Sequence, residues 1–216
     1  MTRFDTVVLD VDGTLLDSNY HHVIAWANAF ESVGLTVPLW RIHRHIGMGG
    51  DRLVPAVAGA EAEERCGAEV RDRWKKDYDQ LIDQTRLFDR ARELLVALRG
   101  AGVDVALASS SIPEHAEHAF ELLDAESLTD TATTAEDAEE SKPHPELVDE
   151  ALSRVGGGKA CLVGDSVWDM EAAKRARVPA YGVLAGGYGR AELEEAGASA
   201  VYDDVADLLD HLDDWL

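Results

Sequence analysis

The chain has 216 residues, 46% of them hydrophobic and 29% charged, a globular composition with room for one sizeable core and a small accessory unit. Asp and Glu number 42 against 20 Lys and Arg, a formal charge of −22. That field repels nucleic acid and anionic lipid, and it excludes binding to either through a broad basic surface.

Phe4 to Val11 is a short β-branched run ending in acids and predicts a buried parallel strand. From Tyr20 to Val33, apolar residues at Val23, Trp26, Ala27, Phe30 and Val33 recur at helical spacing, and Gly34 ends the helix. Arg41 to Ile46, Arg52 to Ala58 and Ala62 to Ile82 read as further helices, so Ser18 to Arg86 is all helical. Alternation then resumes with a helix over Asp89 to Arg99, a strand over Val103 to Ala108 and a helix over Pro113 to Leu123. A strand near Thr131 to Thr134, a helix over Pro145 to Val155 and a strand over Ala160 to Val163 follow. The pattern closes with a helix over Trp168 to Ala176, a strand over Ala180 to Leu184, a helix over Arg190 to Ala196, and Ala200 to Tyr202 leading into a helix over Val205 to Leu212. Strands alternating with helices predict an α/β fold, a parallel sheet covered on both faces. Residues 1–17 and 87–216 form its core, and residues 18–86 form an inserted helical domain.

Other features bound the setting. No apolar run approaches the ~20 residues that cross a bilayer, and the start Met1-Thr2-Arg3-Phe4-Asp5 has neither the basic nor the apolar region of a secretory signal. Cys66 and Cys161 form no metal-type pair and suit reduced thiols, so a cytoplasmic protein is expected. The 20 cations divide into 15 Arg and 5 Lys. Excess carboxylate with few lysines is what a surface adapted to high salt carries, since salt screens its self-repulsion.

In an open α/β sheet the site lies beyond the carboxyl ends of the strands. The first strand is followed by Asp10-Val11-Asp12-Gly13-Thr14, a later one by Ser109-Ser110-Ser111, and another by Gly164-Asp165-Ser166 with Asp169 close behind; Lys142-Pro143 lies in a loop between them. Several carboxylates that close together do not all stay ionised without a cation. All-oxygen ligation favours a hard ion, Mg²⁺, which prefers to share a phosphate ligand. With a phosphoryl group there, Ser109 and Lys142 become a donor and a charge that hold its oxygens. One aspartate is then free to attack phosphorus and another to manage the proton. Gly13 lets the chain turn so that backbone N–H groups reach the phosphate. Ser111, before Ile112-Pro113, reads as a helix cap.

Asp10-Val11-Asp12-Gly13-Thr14-Leu15-Leu16-Asp17-Ser18 resembles the first signature of the haloacid dehalogenase-like superfamily. Ser109 resembles its second signature, Lys142 its third, and Gly164-Asp165 through Asp169 its fourth. The four occur in order over nearly the whole chain, and the helical insert resembles the type-1 cap of the phosphoglycolate phosphatase and β-phosphoglucomutase branch. The resemblance implies a Rossmann-like core with a helical cap and a Mg²⁺-dependent phosphatase acting on a small phosphorylated metabolite through an aspartyl-phosphate. It makes Asp10 the nucleophile, Asp12 the general acid/base, and Asp10, Asp12, Asp165 and Asp169 the metal set, with Ser109 and Lys142 on the phosphoryl group. Gly13, Thr14 and Ser110 are expected to face the substrate. The loop before Lys142, Ala135 to Glu140, lacks the glycine often found there.

The cap should decide the substrate. Gly47-Met48-Gly49-Gly50-Asp51-Arg52 is positioned like that branch's specificity loop, with Gly49 and Arg52 its expected substrate contacts. Arg52, Lys75 or Lys76 could pair with a carboxylate of a compact ester such as 2-phosphoglycolate. His21, His22, His43 and His45 read as surface or interface residues rather than a zinc set. Gly186-Gly187-Tyr188-Gly189 reads as a flexible turn, and Trp26 and Phe30 as core. Asp12 argues against a metal-free dehalogenase. A β-phosphoglucomutase uses the same core and is the alternative, a phosphonatase lacks supporting context, and a non-catalytic binding module does not require Asp12. A monomer or small homo-oligomer is expected.

Overall fold

Every residue of the first strand, β1 (Thr6–Leu9), is buried, as an apolar run must be when helices cover both faces of its sheet. The computed structural model describes residues 3–156 and 158–216. After β1 come β2 (Leu16–Asp17), then α1 (Asn19–Ser32), α2 (Leu39–His43), α3 (Gly50–Ala58) and α4 (Ala60–Tyr78), and then β3 (Arg86–Leu87). The core resumes with α5 (Ala91–Gly100), β4 (Asp104–Ala108), α6 (Pro113–Leu123), α7 (Ala125–Leu128), β5 (Thr131–Thr133) and α8 (Glu146–Arg154). It ends with β6 (Ala160–Gly164), α9 (Val167–Ala176), β7 (Ala180–Val183), α10 (Arg190–Ala196), β8 (Ala198–Tyr202), α11 (Val205–Asp210) and α12 (Leu212–Trp215).

Six strands form one parallel sheet in the order β5-β4-β1-β6-β7-β8. Strand alternation divides the core cleanly. Val7, Leu9, Val105, Leu107 and Val163 pack with Leu94, Leu98, Leu123 and Leu208 from α5, α6 and α11 on one face. Val8, Ala106 and Leu162 pack with Val148, Met170 and Leu193 from α8, α9 and α10 on the other. The helices between β2 and β3 have a separate apolar centre around Trp26, Phe30, Ile42, Leu53 and Val70. β2 and β3 pair antiparallel, Leu16 with Leu87 and Asp17 with Arg86, and so tie together the two chain segments that lead into and out of those helices.

Where the structure differs from the predicted elements, the causes are local. The first strand stops at Leu9 because Asp10 and the residues after it turn into the site. The long helix predicted to Ile82 ends at Tyr78, and Ile82–Gln84 is a separate turn of 3₁₀ helix. At that break Asp79 accepts a hydrogen bond from His115 Nε2 at 2.8 Å. The last predicted helix divides at His211 into α11 and α12. β2 and β3, with two residues each, are too short to carry any periodicity. Among the described residues no helix is long and apolar enough to cross a membrane.

α12 closes the core. Trp215 is 1% exposed, its indole N–H donates to Leu208 O at 3.0 Å, and its ring lies 5.3 Å from that of Tyr181. Trp215→Ala should therefore lower the unfolding free energy by about 3–5 kcal/mol, read from the urea midpoint; a loss below about 1 kcal/mol would mean that the C-terminal turn is dispensable.

Candidate active site

Leu9 pairs with Leu107 of β4 on one side and Val163 of β6 on the other, so the residues that follow these three strands emerge side by side. The Asp10 N–H extends the ladder by donating to Val163 O at 2.9 Å. Asp10, Ser109 and Asp165 thus share the carboxyl edge of the sheet, at the point where the strand order reverses.

Charge balance there rests on Lys142. The side chain is fully buried, and its ammonium reaches Asp10 Oδ1 at 2.5 Å and Asp169 Oδ1 at 2.7 Å. It also donates to Ala108 O at 3.2 Å. Asp169 serves the helix as well: its Oδ2 accepts from the Ser166 N–H at 3.1 Å and hydroxyl at 2.5 Å, while the Ser166 hydroxyl caps the Asp169 N–H. It is therefore both a helix-start acid and a partner of the lysine. Its Oδ1 faces the Lys142 ammonium, so it acts on the site at least through that charge.

Asp165 accepts from Asn19 Nδ2 at 2.9 Å. Two glycines make room for it. At Gly13, with φ +82°, a Cβ would lie 2.2 Å from Asn19 Nδ2 and 2.5 Å from Asp165 Oδ2; at Gly186 it would lie 1.6 Å from Asp165 Oδ2. The 184–189 segment is thus more than a flexible turn, since it walls one side of the carboxylate cluster. The Gly13 N–H donates to Leu16 O at 2.8 Å, so this amide closes the turn instead of facing a phosphate. Thr14 also differs from its expected place at the substrate. It is fully buried, and its hydroxyl is shared between Asp10 Oδ2 at 2.9 Å and Asp165 Oδ1 at 3.1 Å.

Oxygens of Asp10, Asp165 and Asp169 lie within 4.8 Å of one another. Burial pushes the Asp10 carboxyl up to about 7 despite the opposing pull of Lys142. Burial, then the charges of Asp10 and Asp169, raise Asp165 well above the usual carboxylate range. Lys142 is held above the ordinary ammonium range because the two carboxylates outweigh its burial. Crowded buried carboxylates with all-oxygen donors fit a hard divalent cation, whose charge relieves their mutual repulsion. Asp10, Asp165 and Asp169 are the side chains that could hold it.

Asp12 has a different environment. Its Oδ1 accepts from the Ser18 hydroxyl at 2.6 Å and faces His22 Nε2 at 3.4 Å. Its Oδ2 accepts from the hydroxyls of Ser111 at 2.9 Å and Ser109 at 3.4 Å. Burial opposes ionisation here, but His22 and the serines outweigh it and hold the carboxyl well below the usual range. Ser111 is therefore not the helix cap its position suggests; the N-cap of α6 is Ile112, and the Ser111 hydroxyl serves Asp12. Ser18 at the N-cap of α1 does the same. Of the two readings of His22, surface or interface, the interface one holds: it is buried, facing Asp12 and stacked on Tyr78 with ring centroids 3.8 Å apart. Asn19 and His22 carry no signal in the sequence that assigns them to the site, and Ser18 and Ser111, which lie within or beside the motifs, carry none that assigns them to Asp12.

The cap closes over this edge. His43 Nε2 approaches Gly186 O at 2.9 Å, Arg44 pairs with Glu192 at 2.5 Å, and the Tyr188 hydroxyl donates to Arg44 O at 2.7 Å. The cavity left above Asp10 and Asp12, about 40 Å³, is walled by His22, Trp26, Trp74 and the 46–50 loop, Gly49 included. That is space for roughly two or three waters, so a phosphate ester needs the cap to open. A neighbouring cavity of about 420 Å³ shares Gly49, Gly50, Trp74 and Ser110 with it. Arg52 lies away from both; its guanidinium pairs with Glu140 at 2.9 Å. Lys75 pairs with Glu114 at 2.7 Å.

Comparison with known proteins agrees with this geometry. The chain is 29% identical over 209 residues to the probable phosphatase IndB of Dickeya dadantii, covering 94% of this chain and 91% of that protein. It is 28% identical over 228 residues to a phosphoglycolate phosphatase of Salmonella choleraesuis, covering 94% and 90%. A hydrolase from Pseudomonas syringae superposes with a TM-score of 0.92 at 32% identity, over 99% of each chain. Residues 4–177 match the haloacid dehalogenase-like hydrolase family. The chain belongs to that family, and it is an enzyme of the phosphatase type.

Proposed function

We propose that the enzyme hydrolyses a small phosphorylated metabolite, in the presence of Mg²⁺, through a phosphoaspartate formed on Asp10. The observation that carries this reading is the buried Asp10–Lys142–Asp169 arrangement, with Asp12 at the cavity beside it. A carboxylate fixed by Lys142 and Thr14 is pre-oriented to attack phosphorus. As the P–O bond to the leaving group breaks, the leaving oxygen takes a proton from Asp12; in the second half a water attacks the phosphoaspartate and Asp12 takes the proton back. The donors around Asp12 favour its carboxylate form, the form that activates water. Lys142 and the serine hydroxyls offset charge on the phosphoryl oxygens. Asp10, Asp165 and the Asp12 backbone carbonyl, with Asp169 beside them, would hold Mg²⁺, which would supply further neutralisation of that charge.

Relatives named as phosphatases support a phosphomonoester as substrate. The carboxylate-binding part expected of Arg52 draws no support from its position, because Arg52 pairs with Glu140 away from Asp10. Cys66 and Cys161 are free thiols, which suits a reducing cytoplasm.

Asp10→Asn should abolish turnover of p-nitrophenyl phosphate while the circular dichroism spectrum stays native; retention of more than about 1% of kcat would remove the covalent step. Excess EDTA should stop turnover, and full rate in EDTA would contradict the metal. Lys142→Met strips Asp10 and Asp169 of the ammonium that pairs with both, so it should cost about 3–5 kcal/mol of stability as well as activity; a change in activity with an unchanged denaturant midpoint would count against its place as the charge balance of the site.

The reading extends to the solvent. With 42 acids against 20 cations, at least 22 carboxylates have no cation of their own. Self-repulsion acts over ~30 Å at 0.01 M salt and only ~3 Å at 1 M. The thermal midpoint should therefore rise with KCl, most steeply at low salt, and a midpoint that stays flat or falls would reduce the enzyme to an acidic one with no salt adaptation.

A further inference from the structure

We infer that the leaving-group side of this site takes a neutral, ring-shaped polyol phosphate, a sugar or cyclitol monoester, and discriminates against carboxylated esters. The inference rests on the phosphatase reading above and specifies its substrate class.

A carboxylated leaving group needs a cation, and the walls provide none that is free. Among the described residues, no lysine or arginine lines the cavity above Asp10 and Asp12. The adjoining cavity, where a leaving group bound through its phosphate to Asp10 would extend, has five carboxylates in its walls, among them Asp51, Asp72 and Glu136, against Arg71 and Lys75. Both cations are taken: Arg71 forms a double hydrogen bond to Glu63 at 2.8 and 2.9 Å, and Lys75 pairs with Glu114 at 2.7 Å. A second negative charge on the substrate would meet like charge there.

Size and polarity point the same way. At about 420 Å³ the cavity falls in the range of sites for ring-sized ligands, far more than a two-carbon leaving group fills. Its junction with the reaction site is Trp74, stacked on Trp26 with ring centroids 4.7 Å apart and 11° between planes, an apolar surface for the C–H face of a ring. The indole N–H of Trp74 and the hydroxyls of Ser110 and Ser141 are buried without hydrogen-bond partners. All three residues line this cavity. Buried donors left unpaired are costly. Ligand hydroxyls, reaching them as the cap closes again over the ring, supply the missing acceptors, and the wall carboxylates accept from the other hydroxyls.

The test is a comparison of kcat/KM on myo-inositol 1-phosphate, glucose 6-phosphate, cyclohexyl phosphate and 2-phosphoglycolate, with p-nitrophenyl phosphate as the measure of phosphatase activity itself. At least one ring polyol phosphate should exceed 2-phosphoglycolate by about tenfold or more, and 2-phosphoglycolate as the equal or better substrate overturns the inference while leaving the phosphatase reading intact. No turnover of any ester, p-nitrophenyl phosphate included, overturns both. Trp74→Phe keeps the ring and removes the donor, so it should cost the polyol phosphate about five- to tenfold and cyclohexyl phosphate less; equal losses on the two count against hydroxyl recognition. Ser141→Ala should give the same split and stands in if Trp74→Phe fails to fold. Glu114→Gln releases Lys75 and should shift the ratio toward 2-phosphoglycolate, and an unchanged ratio means that the Lys75–Glu114 pair does not set the preference.

Discussion

One buried ammonium organises this protein's chemistry. Three carboxylates, from Asp10, Asp165 and Asp169, are gathered with almost no exposure, and Lys142 is the cation that makes two of them tolerable there. An uncompensated buried charge costs several kcal/mol, so the pairing constrains everything around it. β1 and β6 must be neighbours to bring Asp10 beside Asp165. The loop after β5 must return across the sheet edge to deliver Lys142. The first turn of α9 must present Asp169 while Asp169 also answers the Ser166 N–H. Thr14 and Asn19 complete the set by donating to Asp10 and Asp165.

The cap is fastened to that arrangement at its first turn. Ser18 and His22 lie four residues apart, on one face of α1, and both address Asp12 Oδ1; Asn19 between them addresses Asp165. A movement of α1 therefore changes the donors around Asp12 at the same time as it changes access to the cavity. The two-residue strands β2 and β3 hold together the segments that cross between core and cap. Coupling of cap position to the Asp12 carboxylate follows from chain connectivity rather than from any long-range path.

How much of this the sequence discloses depends on the kind of signal. The alternation of apolar strands and helices is periodic, and it yielded the parallel sheet and the inserted helices. Asp10, Ser109, Lys142 and Asp165 are legible because they follow strands or occupy an ordered set of signatures. Ser111 and Ser18 were not legible as partners of Asp12: each precedes a helix, the usual place of a cap, and only the fold turns its hydroxyl toward a carboxylate from another strand. Thr14 reads as a phosphate contact from its place in the motif, whereas the turn at Gly13 points it into the carboxylate cluster. Arg52 illustrates the opposite error. A cation in a glycine-rich loop suggests an anion site, but in so acidic a chain a nearby carboxylate, here Glu140, claims it first. Short elements such as β2, β3 and α12 have too few residues to show a period at all.

The same excess of carboxylate bears on how an anion reaches the centre. At long range a chain of formal charge −22 repels a phosphate ester, so attraction cannot be a property of the whole surface. It has to arise within a few ångströms, from Lys142, the hydroxyls of the serines and a cation of the kind the aspartates could hold. A second anionic group on the substrate would gain nothing from that local balance, because the positive charge is concentrated under the phosphoryl position and every cation on the leaving-group side already has its own carboxylate. The salt response and the preference for an uncharged leaving group proposed above thus rest on one surplus: a protein with few cations keeps one of them beside Asp10, and those in the walls of the adjoining cavity are already paired.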